Sequence, residues 1–112
     1  MNLYIDQGGG PGKTYEGEPD HRRPFRVWGT VTRETEKFYY VTRAGLLTSE
    51  TRRISKDRMS TGGQFARPLY TEAQMEDEVW LRTYRGRVSS AVSRADVATL
   101  KKLAELLGVW KP

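Results

Sequence analysis

A glycine-rich string over residues 8–14 ends in Gly-Lys-Thr, as the phosphate-binding loop of many nucleotide-binding proteins does. The full pattern needs a second glycine five positions before Gly12, and that position holds Gln7. The residues that follow are rich in glycine, glutamate and proline, so they cannot begin the helix whose N-terminus would hold the phosphates. The string therefore predicts a flexible glycine arm rather than a nucleotide site.

Residues suited to catalysis or metal binding are few and scattered. His21 is the single histidine and the chain has no cysteine, so a metal site of imidazole and thiolate ligands is not predicted. Glu76, Asp77 and Glu78 are consecutive, and on a helix their carboxylates fan apart instead of converging on one atom. No serine has the histidine and acid that would make it a nucleophile. We therefore predict a protein that is not an enzyme and uses no metal ion or cofactor.

Basic and aromatic residues are concentrated in the middle of the chain. Residues 25–68 carry nine basic and four acidic side chains, a net charge of +5, which equals the net charge of the whole chain. Arginine outnumbers lysine there by seven to two, and guanidinium groups form paired hydrogen bonds with carboxylates and phosphates. The predicted partner-binding residues are Arg26, Trp28, Lys37, Tyr39, Arg43, Arg52, Arg53, Lys56 and Arg58.

Three interpretations of this basic and aromatic set are open. Arginine, tryptophan and tyrosine are enriched at protein interfaces, which favours an inhibitor or adaptor that contacts another protein. The same residue types on a sheet neutralise phosphates and stack on bases, which favours a direct nucleic-acid-binding module. Alternatively, the rings form the core, the arginines face solvent, and the protein is a structural or assembly protein that uses its helices to oligomerise.

The elements that would position these residues are strands first and helices afterwards. Apolar and polar residues begin to alternate with a period of two at Phe25, which predicts four strands within residues 25–70. Leu47 and Ile54 are the clearest apolar residues of the third predicted strand. Helices are predicted over about residues 72–86 and 94–107. Thr71 and Gln74 have capping-box spacing before the first helix, Gly86 is expected to end that helix, and Gly108 is expected to end the second.

This order predicts an α+β fold: a small, strongly bent antiparallel sheet or Src-homology-like barrel followed by two C-terminal helices. Residues 1–24 are predicted to be a glycine-rich flexible arm, and residues 25–112 a single α+β domain. The absence of cysteine, of a signal peptide and of any apolar run of about 18 residues predicts a cytoplasmic protein without a membrane partner.

Three short strings carry a resemblance to a group of proteins. They are Val27 to Val31 (Val-Trp-Gly-Thr-Val), Arg53 to Asp57 (Arg-Ile-Ser-Lys-Asp), and the leucine-rich stretch from Leu100 to Leu107. In this layout the chain resembles small uncharacterised accessory proteins of bacteriophages, over roughly residues 25–108. The resemblance implies a non-enzymatic role in taking over or evading the host. Together with the basic and aromatic set, it predicts an inhibitor or adaptor whose partner is a host protein, a host-defence complex or another protein–nucleic acid complex. It implies no particular functional residues.

Overall fold

The computed structural model describes residues 1–13, 17–44 and 49–112. Leu47, which was assigned to the third strand, and Thr14, at the end of the glycine string, lie outside these residues. The described chain divides into two compact units, residues 1–79 and residues 80–112. Strands precede helices along the chain, so the fold class is α+β, as predicted.

An open antiparallel sheet is the main element of the first unit. The strands are β1 (Asn2–Asp6), β2 (Gly12–Lys13), β3 (Pro19–Asp20), β4 (Phe25–Glu34), β5 (Phe38–Ala44), β6 (Ser49–Ser55) and β7 (Leu69–Thr71). Five of them form one sheet in the order β6-β5-β4-β1-β7, while β2 and β3 pair with each other. Because β6 and β7 lie at opposite edges, the sheet is not closed and the predicted barrel is not confirmed.

The first two predicted strands are present as β4 and β5, which pair as an antiparallel hairpin. Val31 pairs with Val41, and both strands are rich in aromatic and β-branched residues that favour extended backbone. Thr35 closes the turn twice: its backbone N–H donates to the Phe38 carbonyl oxygen at 2.9 Å, and its hydroxyl oxygen accepts from the Phe38 N–H at 3.2 Å. β5 and β6 continue the meander in a regular register.

β1 occupies an interior position in the sheet, although the sequence analysis placed it in a flexible arm. It pairs with β4 on one side and with β7 on the other, and Leu3 is fully buried. The rest of the predicted arm contains the short β2–β3 ladder. The apolar run of β1 is only three residues long. A run this short does not predict that the strand pairs with two others that are distant in the sequence.

The core lies mainly on one face of the sheet. Its fully or nearly buried members are Leu3, Trp28, Val41, Ile54 and Leu69, with Ile5, Val31, Tyr39 and Met59 partly buried against them. A β-bulge shifts the register of β4 against β1 between Leu3 and Tyr4. As a result Trp28 and Gly29 are both buried while Val27 is exposed, so the simple alternation expected for this strand is interrupted.

Two helices follow the strands, α1 (Glu72–Arg94) and α2 (Val97–Leu106). The capping box of α1 is confirmed, because the Gln74 N–H donates to the Thr71 hydroxyl and the Gln74 side chain accepts from the Thr71 N–H. α1 passes through Gly86, where it was expected to end, since one interior glycine costs a helix only about 1 kcal/mol. Gly108, at φ +71°, follows the end of α2 as predicted.

The second unit has no buried side chain of its own. Among residues 80–112, every apolar side chain is at least partly exposed, including those that recur at three- and four-residue steps along α2 and its C-cap: Val97, Leu100, Leu103 and Leu107. Neither helix combines the length and apolar character needed to cross a membrane, judged over the part of the chain that the structure describes.

The carboxylate that caps α2 makes this helix end sensitive to pH. The backbone N–H of Thr99 donates to Asp96 Oδ1 at 2.8 Å, and this bond, with a second from the Thr99 hydroxyl, holds the pKa of Asp96 below its ordinary value. A lowered folded-state pKa stabilises the helix end at neutral pH, and the stabilisation is lost as the pH falls through that pKa.

We expect the Thr99 amide resonance to shift in acid in the wild type. In Asp96→Asn the side-chain amide oxygen is uncharged and can still cap the helix by accepting from the Thr99 N–H. The Thr99 amide resonance of this variant should therefore stay nearly constant as the pH is lowered.

Candidate arginine cleft

Three of the predicted partner-binding arginines line one cleft at the β6 edge of the sheet. Its volume is about 640 Å³, which is within the range of ligand-binding sites. We call it the arginine cleft. It is lined by Phe38, Arg52, Arg53, Ile54, Ser55, Arg58, Ser60, Thr61, Gly62, Gly63 and Ala66. The cleft therefore combines three cations with hydroxyl groups, and no carboxylate is among its lining residues.

The loop opposite β6 is held by hydrogen bonds that close it at its base. The Met59 N–H donates to the Ser55 carbonyl oxygen, and the Leu69 N–H donates to the Met59 carbonyl oxygen, both at 2.8 Å. Farther out, the Thr61 N–H donates to the Arg67 carbonyl oxygen at 3.0 Å. This ladder keeps the loop that carries Ser60 and Thr61 beside β6, so the cleft wall is set by backbone bonds.

The charges of the cleft are not neutralised by acidic side chains. Arg52 donates from Nη2 to the Thr61 carbonyl oxygen at 3.0 Å, which fixes its position without neutralising its charge. Within the described residues, no salt bridge involves Arg52, Arg53 or Arg58, and all three are exposed. Arg52 and Arg53 are consecutive on β6, so their side chains leave opposite faces of this sheet edge. The Arg52 guanidinium carbon lies 5.9 Å from the Trp28 ring centroid, whereas that of Arg53 lies beside Phe38. The three positive charges along this edge create a positive potential that attracts an anion.

Aromatic rings accompany the arginines on this side of the sheet. The Arg53 guanidinium carbon lies 4.4 Å from the centroid of the Phe38 ring, which is half-buried. Phe65, in the loop beside the cleft-lining Ala66, is 86% exposed. A phenylalanine this exposed gains contact area when a partner binds. This side of the sheet therefore offers cations for an anionic group, and Phe65 offers an aromatic face for a planar or apolar one.

Trp28 and Arg43 were predicted to face a partner, but in the structure they contact each other. Arg43 donates from Nε to the Trp28 carbonyl oxygen at 2.9 Å, and its guanidinium carbon lies 4.4 Å from the Trp28 ring centroid. It also forms a salt bridge with Glu50 at 3.6 Å. Trp28 is only 8% exposed, so its ring cannot stack on a base without rearrangement of the core.

The remaining predicted residues are distributed around the sheet. Tyr39 packs against the core, and Lys56 lies 4.9 Å from its ring centroid and 3.5 Å from Glu34. Lys37 is exposed in the turn between β4 and β5. Arg26 is directed to the opposite end of the sheet, where it donates to the carbonyl oxygens of Arg23 and Phe25. Of the nine predicted residues, three therefore line the arginine cleft and six lie elsewhere on the sheet and its turns.

The loop side of the cleft was not among the predicted partner-binding residues. Gly62 and Gly63 both adopt positive φ and line the arginine cleft. Their signal was a Gly-Gly pair after two hydroxyl residues, which permits this turn, and the Gly62 N–H donates to the Ser60 hydroxyl oxygen at 3.1 Å. Phe38 was counted as a strand residue, because nothing local shows that Arg53 will cover its ring.

No group of three potential metal-ligating side chains occurs within the described ranges. Comparison of the chain with protein-family models, with curated proteins and with solved structures gave no match. The functional argument therefore depends on the arginine cleft itself.

Proposed function

We propose that the protein is a non-catalytic binding module whose arginine cleft holds the phosphate groups of a nucleic acid. The observation that carries the proposal is that Arg52, Arg53 and Arg58 all line one cleft at the β6 edge, with no carboxylate among the lining residues. Guanidinium groups bind phosphate oxygens through paired, charge-assisted hydrogen bonds, and the serine and threonine hydroxyls beside them supply further donors.

Single-stranded nucleic acid fits this cleft better than a duplex does. Its bases are free to stack on an exposed aromatic ring, and Phe65, which precedes the cleft-lining Ala66, is 86% exposed. A duplex would engage the arginines through its phosphates but would leave this ring without a stacking partner. The expected preference is therefore for single strands, with little dependence on base sequence.

The test is fluorescence anisotropy with labelled single-stranded and duplex oligonucleotides over a range of salt concentrations. Three phosphate contacts predict a slope of log affinity against log salt of about −2 for single strands. The triple variant Arg52→Ala, Arg53→Ala, Arg58→Ala should weaken binding by on the order of a thousandfold, since each of the three hydrogen bonds to a charged group contributes about 1.5 kcal/mol.

A matched control removes the same amount of charge from another place. Lys101, Lys102 and Lys111 are exposed in the second unit, so replacing all three with alanine lowers the net charge equally without touching the cleft. Binding by this control should fall by a small factor only. If both triple variants lose affinity equally, attraction is due to overall charge, and if the folded wild type binds no oligonucleotide at low salt, the proposal is wrong.

A second candidate is the inhibitor or adaptor of a host protein that the bacteriophage resemblance implies. The observation that favours it is Phe65, because a phenylalanine exposed to 86% beside arginines is a common anchor of protein interfaces. This candidate predicts recovery of one protein from host lysate after nuclease treatment, and loss of that protein with Arg52→Glu, Arg53→Glu. Recovery that disappears on nuclease treatment supports nucleic-acid binding instead.

A further inference from the structure

A row of exposed apolar side chains runs along α1. Trp80, Tyr84, Val88 and Val92 follow one another at intervals of four residues, and their exposed fractions are 54%, 40%, 51% and 38%. Side chains four residues apart lie on one face of a helix, so the four form a continuous stripe. Single exposed apolar residues are ordinary in folded proteins, but a continuous stripe indicates a contact surface.

The charges of α1 are separated along its length. Its first two turns carry the acidic residues Glu72, Glu76, Asp77 and Glu78, and its remaining turns carry Arg82, Arg85, Arg87 and Arg94. This separation suits the helix dipole. It also makes the helix complementary to a second copy of itself in antiparallel orientation, because the acidic part of each copy then lies beside the basic part of the other.

We propose that α1 pairs in antiparallel orientation with α1 of a second copy of this chain, so that the protein is a symmetric dimer. Glu76 and Arg87 are 11 residues apart, which is three helical turns, and therefore they lie on the same edge of the helix. A twofold axis near Leu81 places Glu76 of each copy beside Arg87 of the partner subunit. The same axis brings the Trp80 and Tyr84 rings of both copies to the centre of the contact.

The size of the contact is sufficient for a specific dimer. A helix of 23 residues is about 34 Å long. In the pair, the apolar stripe of each helix and the aliphatic parts of its flanking arginines pack against those of the other. This contact buries on the order of 600–800 Å² per chain, close to the roughly 800 Å² per partner of specific interfaces. Trp80 and Tyr84 already contact each other at a centroid distance of 5.3 Å, so the centre of the surface is preformed.

The first test uses charge reversal and sedimentation velocity. The wild type should be a dimer at about 100 µM chain and should dissociate on dilution. Glu76→Lys alone and Arg87→Glu alone should each raise the dimer Kd by about tenfold or more, because each places like charges together twice in the symmetric contact. The double variant should restore the dimer. The two side chains are too far apart to interact within one helix, so restoration must come from contact between copies.

The second test determines the orientation of the helices. Because the chain has no cysteine, introduced thiols are the only ones present. The double variant Glu76→Cys, Arg87→Cys should oxidise to a covalent dimer, since positions 76 and 87 are about 16 Å apart within one helix and cannot form an internal disulfide. Glu76→Cys alone should not cross-link, because position 76 of one copy is far from position 76 of the other in an antiparallel pair. In a parallel pair the two introduced thiols would be adjacent and would oxidise readily.

Several outcomes would overturn the proposal. They are a folded wild type that stays monomeric at about 100 µM, a charge-swapped double variant that stays as dissociated as the single ones, and efficient cross-linking by Glu76→Cys alone. Val88→Asp gives an independent check. Val88 is half exposed, so this change should leave the circular dichroism spectrum of the chain intact while abolishing the dimer.

Discussion

Replacing Leu3 with alanine is expected to lower the free energy of unfolding of the sheet by about 2–5 kcal/mol. Leu3 is fully buried and belongs to β1, which is paired on both sides, so neighbouring backbone cannot collapse easily into the vacated space. A loss of this size is a large fraction of the roughly 5–15 kcal/mol that stabilises a small protein. Urea unfolding followed by the fluorescence of the buried Trp28 measures it.

Leu106→Ala is the matched control for this substitution. Leu106 is 83% exposed in α2, so the same change of side chain should alter stability by no more than about 0.5 kcal/mol. If Leu3→Ala were as mild as Leu106→Ala, β1 would not be an integral strand, and the flexible arm expected from the sequence would be the better description.

Replacing Gly29 with alanine is expected to destabilise the sheet by about 1–3 kcal/mol through overpacking. A β-carbon at this position would lie 2.4 Å from Val41 Cγ1 and 3.2 Å from the Thr42 carbonyl oxygen. Val41 is fully buried and β-branched, so it cannot rotate away without creating another clash in the core. The reduction should appear in urea unfolding as a lower midpoint with an unchanged slope.

Gly86→Ala applies the same chemical change to a site where it should have the opposite effect. Gly86 is inside α1 and an added β-carbon would meet no atom within 4 Å. Alanine is favoured over glycine in a helix interior by about 1 kcal/mol, so helix content and stability should rise slightly. Destabilisation by Gly86→Ala would show that the backbone is constrained there by a contact that only glycine allows.

Local patterns in the sequence were sufficient to predict the elements whose determinants are near one another in the chain. The β4–β5 hairpin, the capping box at Thr71 and the glycine after α2 all depend on residues a few positions apart. The placement of β1 was not predictable in this way, because its partners are β4 and β7. The bulge at Trp28 likewise results from pairing with β1, and it leaves Trp28 buried and Val27 exposed in β4.

The candidate site was predictable in part for the same reason. Arg52 and Arg53 are adjacent on β6, and the short turn after that strand brings Arg58 near them, so local sequence was informative. The stacking of Arg43 on Trp28 depends instead on the pairing of three strands. A composition rich in arginine and aromatic residues cannot distinguish rings that are exposed from rings that an arginine already covers.

The interior position of β1 has a consequence for how the chain is made. β1 is synthesised before the other strands of this sheet, but β7, which covers its second edge, follows about 65 residues later. At 5–20 residues per second, this edge stays unpaired for roughly 3–13 s on each nascent chain. Until Leu69 arrives, Leu3 and Ile5 have no neighbour on that side, and an unpaired strand edge is a template for pairing with other chains. Aggregation during synthesis is therefore a greater hazard for the unfinished sheet than for the completed one, and chains truncated before β7 should be the least soluble.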